Sequence, residues 1–256
     1  MFEMILRSNR RPATKTTILL SVVFFFALAA GDAAAQKKFS RTYPAGQNVR
    51  LQLMNRSGTV TVEGWDRSEV SITAMLEAPA AAIVPQSLSG TIVINVLKDN
   101  QGRGEVGAVN FLVRVPYSSM VDIETRIGNL GVSNIQSGLV RAHISSEGDI
   151  TLSNIYATAV SAENGLGDIF FDGVVMPGGN YRFSSLRGSI TLRIPFNSSF
   201  KLIATAPSTR NISLGSCANS DMNLLGSGRR VVGKCGDGSA NLTVTNQQGS
   251  ISFIRR

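Results

Sequence analysis

Along most of this chain hydrophobic and polar residues alternate one for one in short runs, the period of a strand with one face buried. Five such runs lie in the first half, at Val49–Leu53, Gly58–Val62, Val70–Ala74, Thr91–Val96 and Asn110–Val115. The alternation also takes a repeating form: glycine, any residue, an apolar residue, any residue, another apolar residue. It occurs at Gly58-Thr-Val60-Thr-Val62, Gly128-Asn-Leu130-Gly-Val132, Gly148-Asp-Ile150-Thr-Leu152, Gly167-Asp-Ile169-Phe-Phe171, Gly188-Ser-Ile190-Thr-Leu192 and Gly249-Ser-Ile251-Ser-Phe253. The four central glycines, Gly128, Gly148, Gly167 and Gly188, keep a near-constant interval of about 20 residues, the mark of a repeat architecture. The step from Gly188 to Gly249 is close to three further periods, and Arg210-Asn-Ile212-Ser-Leu214 stands between them as a copy without its glycine.

A second short strand precedes each glycine, carried by Val121 and Ile123, Val160 and Ala162, Tyr181 and Phe183, and Leu242 and Val244. Each period therefore predicts two short strands with corners between them. The glycines serve one corner, and Asn134, Asn154 and Gly173 the other, where left-handed backbone is tolerated. A unit of about 20 residues is too small to bury its own core, so it must stack on its neighbours. The expected fold is all-β, a single-chain β-solenoid with two short strands per coil. Leu130, Ile150, Ile169 and Ile190 form its inward ladder. An up-and-down barrel or sandwich also uses short alternating strands, but has no reason to repeat at so regular an interval. Residues 36–119 read as irregular β coils and a cap, and 120–256 as the regular repeats of the same domain.

The first 35 residues read differently. Basic residues (Arg7, Arg10, Arg11, Lys15) precede an apolar run of about fourteen residues and then Ala33-Ala34-Ala35, the order of a signal peptide cleaved after Ala35. The run is short of the roughly twenty residues a spanning helix needs. The protein is therefore expected to be extracytoplasmic, in the periplasm, at the surface or released, with no transmembrane segment after cleavage. Residues 36–256 carry 21 basic and 15 acidic side chains. The basic ones are scattered, which excludes the basic stripe of a nucleic-acid binder. Cys217 and Cys235 are the only cysteines, and in an oxidising compartment they are expected to pair, at about 3 kcal/mol by loop-closure entropy.

Little in the chain suggests chemistry. The one histidine, His143, faces outward if Ala142 and Ile144 face in, and no metal-ligand spacing is present, so neither a cofactor nor a metal is expected. Asp149 and Asp168 occupy equivalent positions in adjacent repeats, where stacked carboxylates could bind calcium or share acid and base roles. With Arg187 they form the candidate surface patch, and Glu147, Glu163 and Asp172 could enlarge it. The same slot holds Asn129, Ser189 and Ser250 elsewhere, the behaviour of a turn position. Trp65 reads as a cap of the first coil rather than a sugar platform.

The segments Gly58-Thr-Val-Thr-Val-Glu-Gly-Trp-Asp66, Val115-Pro116, Gly148-Asp-Ile-Thr-Leu152 and Gly249-Ser-Ile-Ser-Phe253 resemble a bacterial adhesin-like family of largely uncharacterised envelope proteins, with a domain of unknown function. The resemblance runs from about Val49 to Arg256. It implies a right-handed β-solenoid and a non-catalytic surface role, with no catalytic or binding residues to carry over. The expected function is thus a non-enzymatic, adhesin-like protein offering a rigid surface to an envelope polymer or protein partner. The alternatives are a polysaccharide-active enzyme using Asp149 and Asp168 with Arg187, and a self-assembling structural module. The oligomeric state is left open.

Overall fold

The regular repeat builds a ladder of parallel strands. A computed structural model of the chain describes residues 36–46, 48–215, 217 and 221–256; the expected signal peptide lies outside them. In chain order the strands are β1 (Lys37–Pro44), β2 (Arg50–Ser57), β3 (Val60–Trp65), β4 (Glu69–Leu76), β5 (Gln86–Leu88), β6 (Thr91–Asn95), β7 (Val109–Pro116), β8 (Met120–Ile127), β9 (Leu130–Glu147), β10 (Ile150–Leu166), β11 (Ile169–Arg187), β12 (Ile190–Ile194), β13 (Phe200–Thr205), β14 (Ile212–Ser213), β15 (Asp221–Leu225), β16 (Arg230–Cys235), β17 (Ala240–Gln248) and β18 (Ile251–Arg255). Among the described residues a helical turn, Val96–Asp99, and a 3-10 turn, Thr209–Asn211, interrupt them. All eighteen strands join in a single hydrogen-bonded sheet, and the protein is all-β.

Equivalent residues pair directly. Leu130, Ile150, Ile169 and Ile190 are successive partners in parallel register, each at most 1% exposed. Each such side chain contributes about 1.5–3 kcal/mol on burial. The same register carries Val140, Val160 and Tyr181 along the other face. All the buried apolar residues from Val49 to Phe253 belong to one core.

Two details differ from the sequence reading. The predicted pair of short strands per period is one long bent strand in β9, β10 and β11. At Asn134 and Asn154, with φ of 59° and 56°, pairing between β9 and β10 skips both residues and resumes in the same register at Ile135 and Ile155, while against β11 Asn154 is an extra residue and the register slips by one. A left-handed residue turns the chain there without ending the hydrogen bonding. The repeat containing Val140 to Ile144 holds an extra residue before its glycine, and pairing slips between Thr125/Ile127 and Asn164/Leu166.

The second difference is the order of the layers. The Gly249 segment is not three layers beyond Gly188 but next to it: β18 pairs with β12 and β17 with β11. The glycine-free copy lies outside, with β14 on β18 and β13 on β17. The other end mirrors this arrangement. There β2 and β3 lie between β6 and β7 on one side and β8 and β9 on the other. At each end a segment remote in sequence is thus inserted one layer in. Antiparallel strands then close both ends: β4 and β1 on β7, β5 on β6, and β16 and β15 on β13. The outer strand β1 carries Lys37, Lys38, Arg41 and Pro44, residues that discourage further strand pairing.

Cys217 and Cys235 form a disulfide, with Cα atoms 5.6 Å apart, that ties Cys217, beyond the end of β14, to the end of β16. Just beyond, Asp237 holds the turn into β17. Its carboxylate accepts hydrogen bonds from the Ser199 hydroxyl and, at 2.9 Å, from the Ser239 amide. These bonds lower its pKa below the ordinary 3.8. A carboxylate that is more acidic when folded stabilises the fold above its unfolded pKa, and that contribution is lost as pH falls through the folded value. Asp237→Asn is therefore expected to lower the thermal midpoint at neutral pH and narrow its gap to the wild type below pH 3.8; equal gaps at all pH values count against it.

Candidate binding surface

Glycine corners and the residues around them determine which side chains face solvent. The column Gly58, Gly128, Gly148, Gly167, Gly188 and Gly249 is stitched by backbone hydrogen bonds, in which the N–H of Gly58 donates to the carbonyl of Ile127, Gly128 to Glu147, Gly148 to Leu166, Gly167 to Arg187 and Gly188 to Gln248, all of 2.8–3.2 Å. A Cβ on Gly148 or Gly167 would overlap the carbonyl oxygen of the glycine one layer away, Gly128 or Gly148. Behind the column, three residues before the glycine, sits a polar side chain that the sequence reading did not single out. Asn164 Nδ2 donates to the Gly148 carbonyl at 2.7 Å, and Asn246 Nδ2 to that of Gly188 at 2.7 Å. Asn55, Thr125 and Ser185 occupy the same position and are buried. The recurring Asn, Thr or Ser at that offset was the available signal.

In front of the column stand the candidate carboxylates. Asp149 Oδ1 accepts the Asp168 amide at 2.8 Å, and Asp168 Oδ1 accepts the Ser189 amide at 2.7 Å. Asn129 Oδ1 does the same for the Asp149 amide at 2.9 Å. Both aspartates are exposed, each tied to the next layer's backbone. Arg187 does not join them, because its Nε donates to Gln248 at 3.1 Å. Among the described residues no group of three or more His, Cys, Asp or Glu side chains is placed to hold a metal ion. His143, 38% exposed, lies 4.0 Å from Glu124.

Two other aspartates are nearly buried. Asp122 is held by Arg141 at 2.7 Å and Arg50 at 3.4 Å. Asp172 is held by Arg193 at 2.7 Å and Arg256 at 3.2 Å, and this carboxylate raises the Arg193 pKa through its hydrogen bond and its charge. Each pair clamps neighbouring layers from outside.

The second corner is aromatic. Trp65 ends β3, its indole N–H donating to the Glu69 carbonyl at 2.9 Å. Arg67 and Arg114 lie over the ring, 4.8 and 5.8 Å from its centroid. An open groove of about 290 Å³ runs from Trp65 past Pro116 and Tyr117 to Gln136. Trp65, expected as a cap of the first coil, shares this groove with Tyr117 and Gln136, residues remote from it in sequence. The chain turns away after Trp65, which brings Tyr117 directly against Gln136, whose amide donates to the Tyr117 carbonyl at 2.8 Å. Tyr156 is the next partner of Gln136 in the ladder. The result is an outward file of Tyr117, Gln136 and Tyr156 along the stack.

The sequence matches no protein-family profile, and no curated protein matches it. Solved structures do resemble it. One, from Clostridium sporogenes and provisionally named a cell adhesion protein, has 12% identity and a TM-score of 0.51, the match covering 86% of this chain and 100% of that one. A Bacteroides fragilis protein, provisionally an adhesin, has 9% identity and a TM-score of 0.40, covering 86% and 99%. A Parabacteroides distasonis protein, provisionally lipid-binding, has 10% identity and a TM-score of 0.40, covering 86% and 98%. At such identity the likeness to the Clostridium protein is one of fold alone, and the other two are too distant to add to it.

Proposed function

We propose that this chain is an extracytoplasmic, non-enzymatic, adhesin-like protein whose stacked layers form a right-handed β-solenoid presenting a rigid face to an envelope polymer or protein. In this reading residues 1–35 are a signal peptide, and 36–119 and 120–256 are one continuous domain. The supporting observation is the in-register parallel ladder, with glycine over glycine from Gly58 to Gly249. Stacking of this kind yields an extended surface with regularly spaced side chains, suited to repetitive partners. The adhesion-related name of the Clostridium protein with this fold agrees, as does the disulfide, which persists in oxidising compartments. No helix among the described residues is long and apolar enough to cross a membrane.

The test begins with the full chain expressed in a bacterial host. It is expected outside the cytoplasm, beginning at Gln36, and to co-sediment with isolated envelope material. Recovery only in the cytoplasm at full length overturns the proposal. For the carboxylates, Asp168→Asn keeps a carbonyl acceptor for the Ser189 amide, whereas Asp168→Ala removes it. The alanine variant is expected to lose about 1 kcal/mol of stability and the asparagine variant less. Neither should change the reducing ends released from a panel of uronic-acid polysaccharides; release by the wild type that Asp168→Asn abolishes would establish an enzyme instead.

A further inference from the structure

We infer that the file Tyr117–Gln136–Tyr156, with the Trp65 groove at one end, binds a single extended strand of neutral β-1,4-linked pyranoses lying along the stack. The inference rests on the polymer-binding reading above and gives it a site and a ligand class.

Spacing is the first argument. Gln136 lies between the two tyrosines: its backbone N–H donates to the carbonyl of Tyr117, in the turn after β7, and it pairs with Tyr156 in the parallel ladder. The two tyrosines are therefore two strand spacings apart, about 10 Å. A two-fold ribbon of β-1,4-linked rings presents an equivalent ring face at every second sugar, a repeat of similar length. An aromatic, an amide and an aromatic in line offer a stacking surface, a hydrogen-bonding group and a second stacking surface to three consecutive rings.

Exposure and chemistry are the second. Tyr117 is 39% and Tyr156 36% exposed, among the larger solvent-facing apolar side chains, and Gln136 between them is exposed too. Around them lie groups suited to sugar hydroxyls: Asp66 and Ser118 in the groove, and Asn154, whose Oδ1 is held by Arg256 at 3.0 Å. Arg256 covers part of Tyr156, 5.6 Å from its ring.

Charge selects the class of sugar. The arginines of this corner are already matched. Arg67 pairs with Glu69 at 3.5 Å and Arg114 with Glu63 at 3.0 Å, while Arg193 and Arg256 share Asp172 at 2.7 and 3.2 Å, a second positive charge that Asp66 offsets. The corner therefore carries no surplus of positive charge to attract a polyanion. A ligand of hydroxyls and flat apolar ring faces fits; a uronic-acid chain does not.

The experiment measures binding of the purified protein to chitohexaose and cellohexaose, which share the ribbon but differ in the acetamido group, and to the corresponding monosaccharides and polygalacturonate. At least one hexasaccharide is expected to bind, with the monosaccharides at least tenfold weaker. Tyr117→Ala and Tyr156→Ala should each weaken it by about tenfold, the scale on which an anchoring aromatic contributes. Tyr117→Phe and Tyr156→Phe should retain it, since the ring is kept. Thermal midpoints of these four variants and of the double alanine variant serve as the control for folding. Undiminished binding by the folded Tyr117→Ala/Tyr156→Ala protein overturns the site, and binding of polygalacturonate alone overturns the ligand class. If envelope material is retained but neither hexasaccharide binds, this assignment falls while the broader polymer-binding reading stands.

Discussion

Gly167→Ala is expected to leave little folded protein. The residue has φ of +132°, in the region that only glycine adopts at ease, and a Cβ there would overlap the Gly148 carbonyl and approach Asp149 Oδ1 at 2.8 Å. Backbone strain alone costs about 1–3 kcal/mol. The overlap adds to it, because the Gly148 carbonyl is fixed by the Asn164 amide and has nowhere to retreat. The combined loss, on the order of 4 kcal/mol or more, is a large part of the roughly 5–15 kcal/mol available to a typical domain. Equilibrium denaturation checks it. Gly178→Ala is the comparison: its φ is +73°, but nothing lies within 4 Å of the Cβ position. The Gly167 variant should be much the worse; equal losses would mean that the glycine column is not closely stacked.

Tyr181→Ala is the second large effect. Tyr181 is fully buried among Phe171 and Phe183, with the Phe171 centroid 6.3 Å away. Its hydroxyl accepts the Met176 amide and donates to the Ala157 carbonyl, both at 2.7 Å. Burial raises its pKa, and the Met176 bond opposes that only in part. Removing the ring leaves a cavity at a cost of about 3–5 kcal/mol. Tyr181→Phe keeps the volume and loses only the two hydrogen bonds, for about 1–3 kcal/mol. The alanine variant should therefore melt well below the phenylalanine variant. Reversal of that order would show that the ring is not packed as described.

The spacing of glycines at 128, 148, 167 and 188 made the central ladder legible, because each period pairs with the next one in sequence. The ends were not legible. Pairing Gly58 with Gly128, and Gly188 with Gly249, joins positions several repeats apart in the chain, and local alternation says nothing about which remote segment fills a layer. The equivalence of Asp149 and Asp168 could be read directly, but not that each carboxylate is occupied by a backbone amide of the next layer. Trp65, Tyr117, Gln136 and Tyr156 meet only because the chain leaves the stack after Trp65. No spacing rule connects a residue at 65 with one at 136.

The inserted end segments also constrain the order in which the chain can assemble as it is made. Residues 120–187 can zip up as they emerge, each new strand finding a template already laid down. Strand β13, at 200–205, cannot dock on arrival, because the place beside it belongs to residues 240–248, not yet synthesised. Until they arrive, the open rim of β11 stays ready to pair with anything that offers a strand, and a ribosome stalled before residue 240 would hold out a chain with two unfinished layers and a sticky edge.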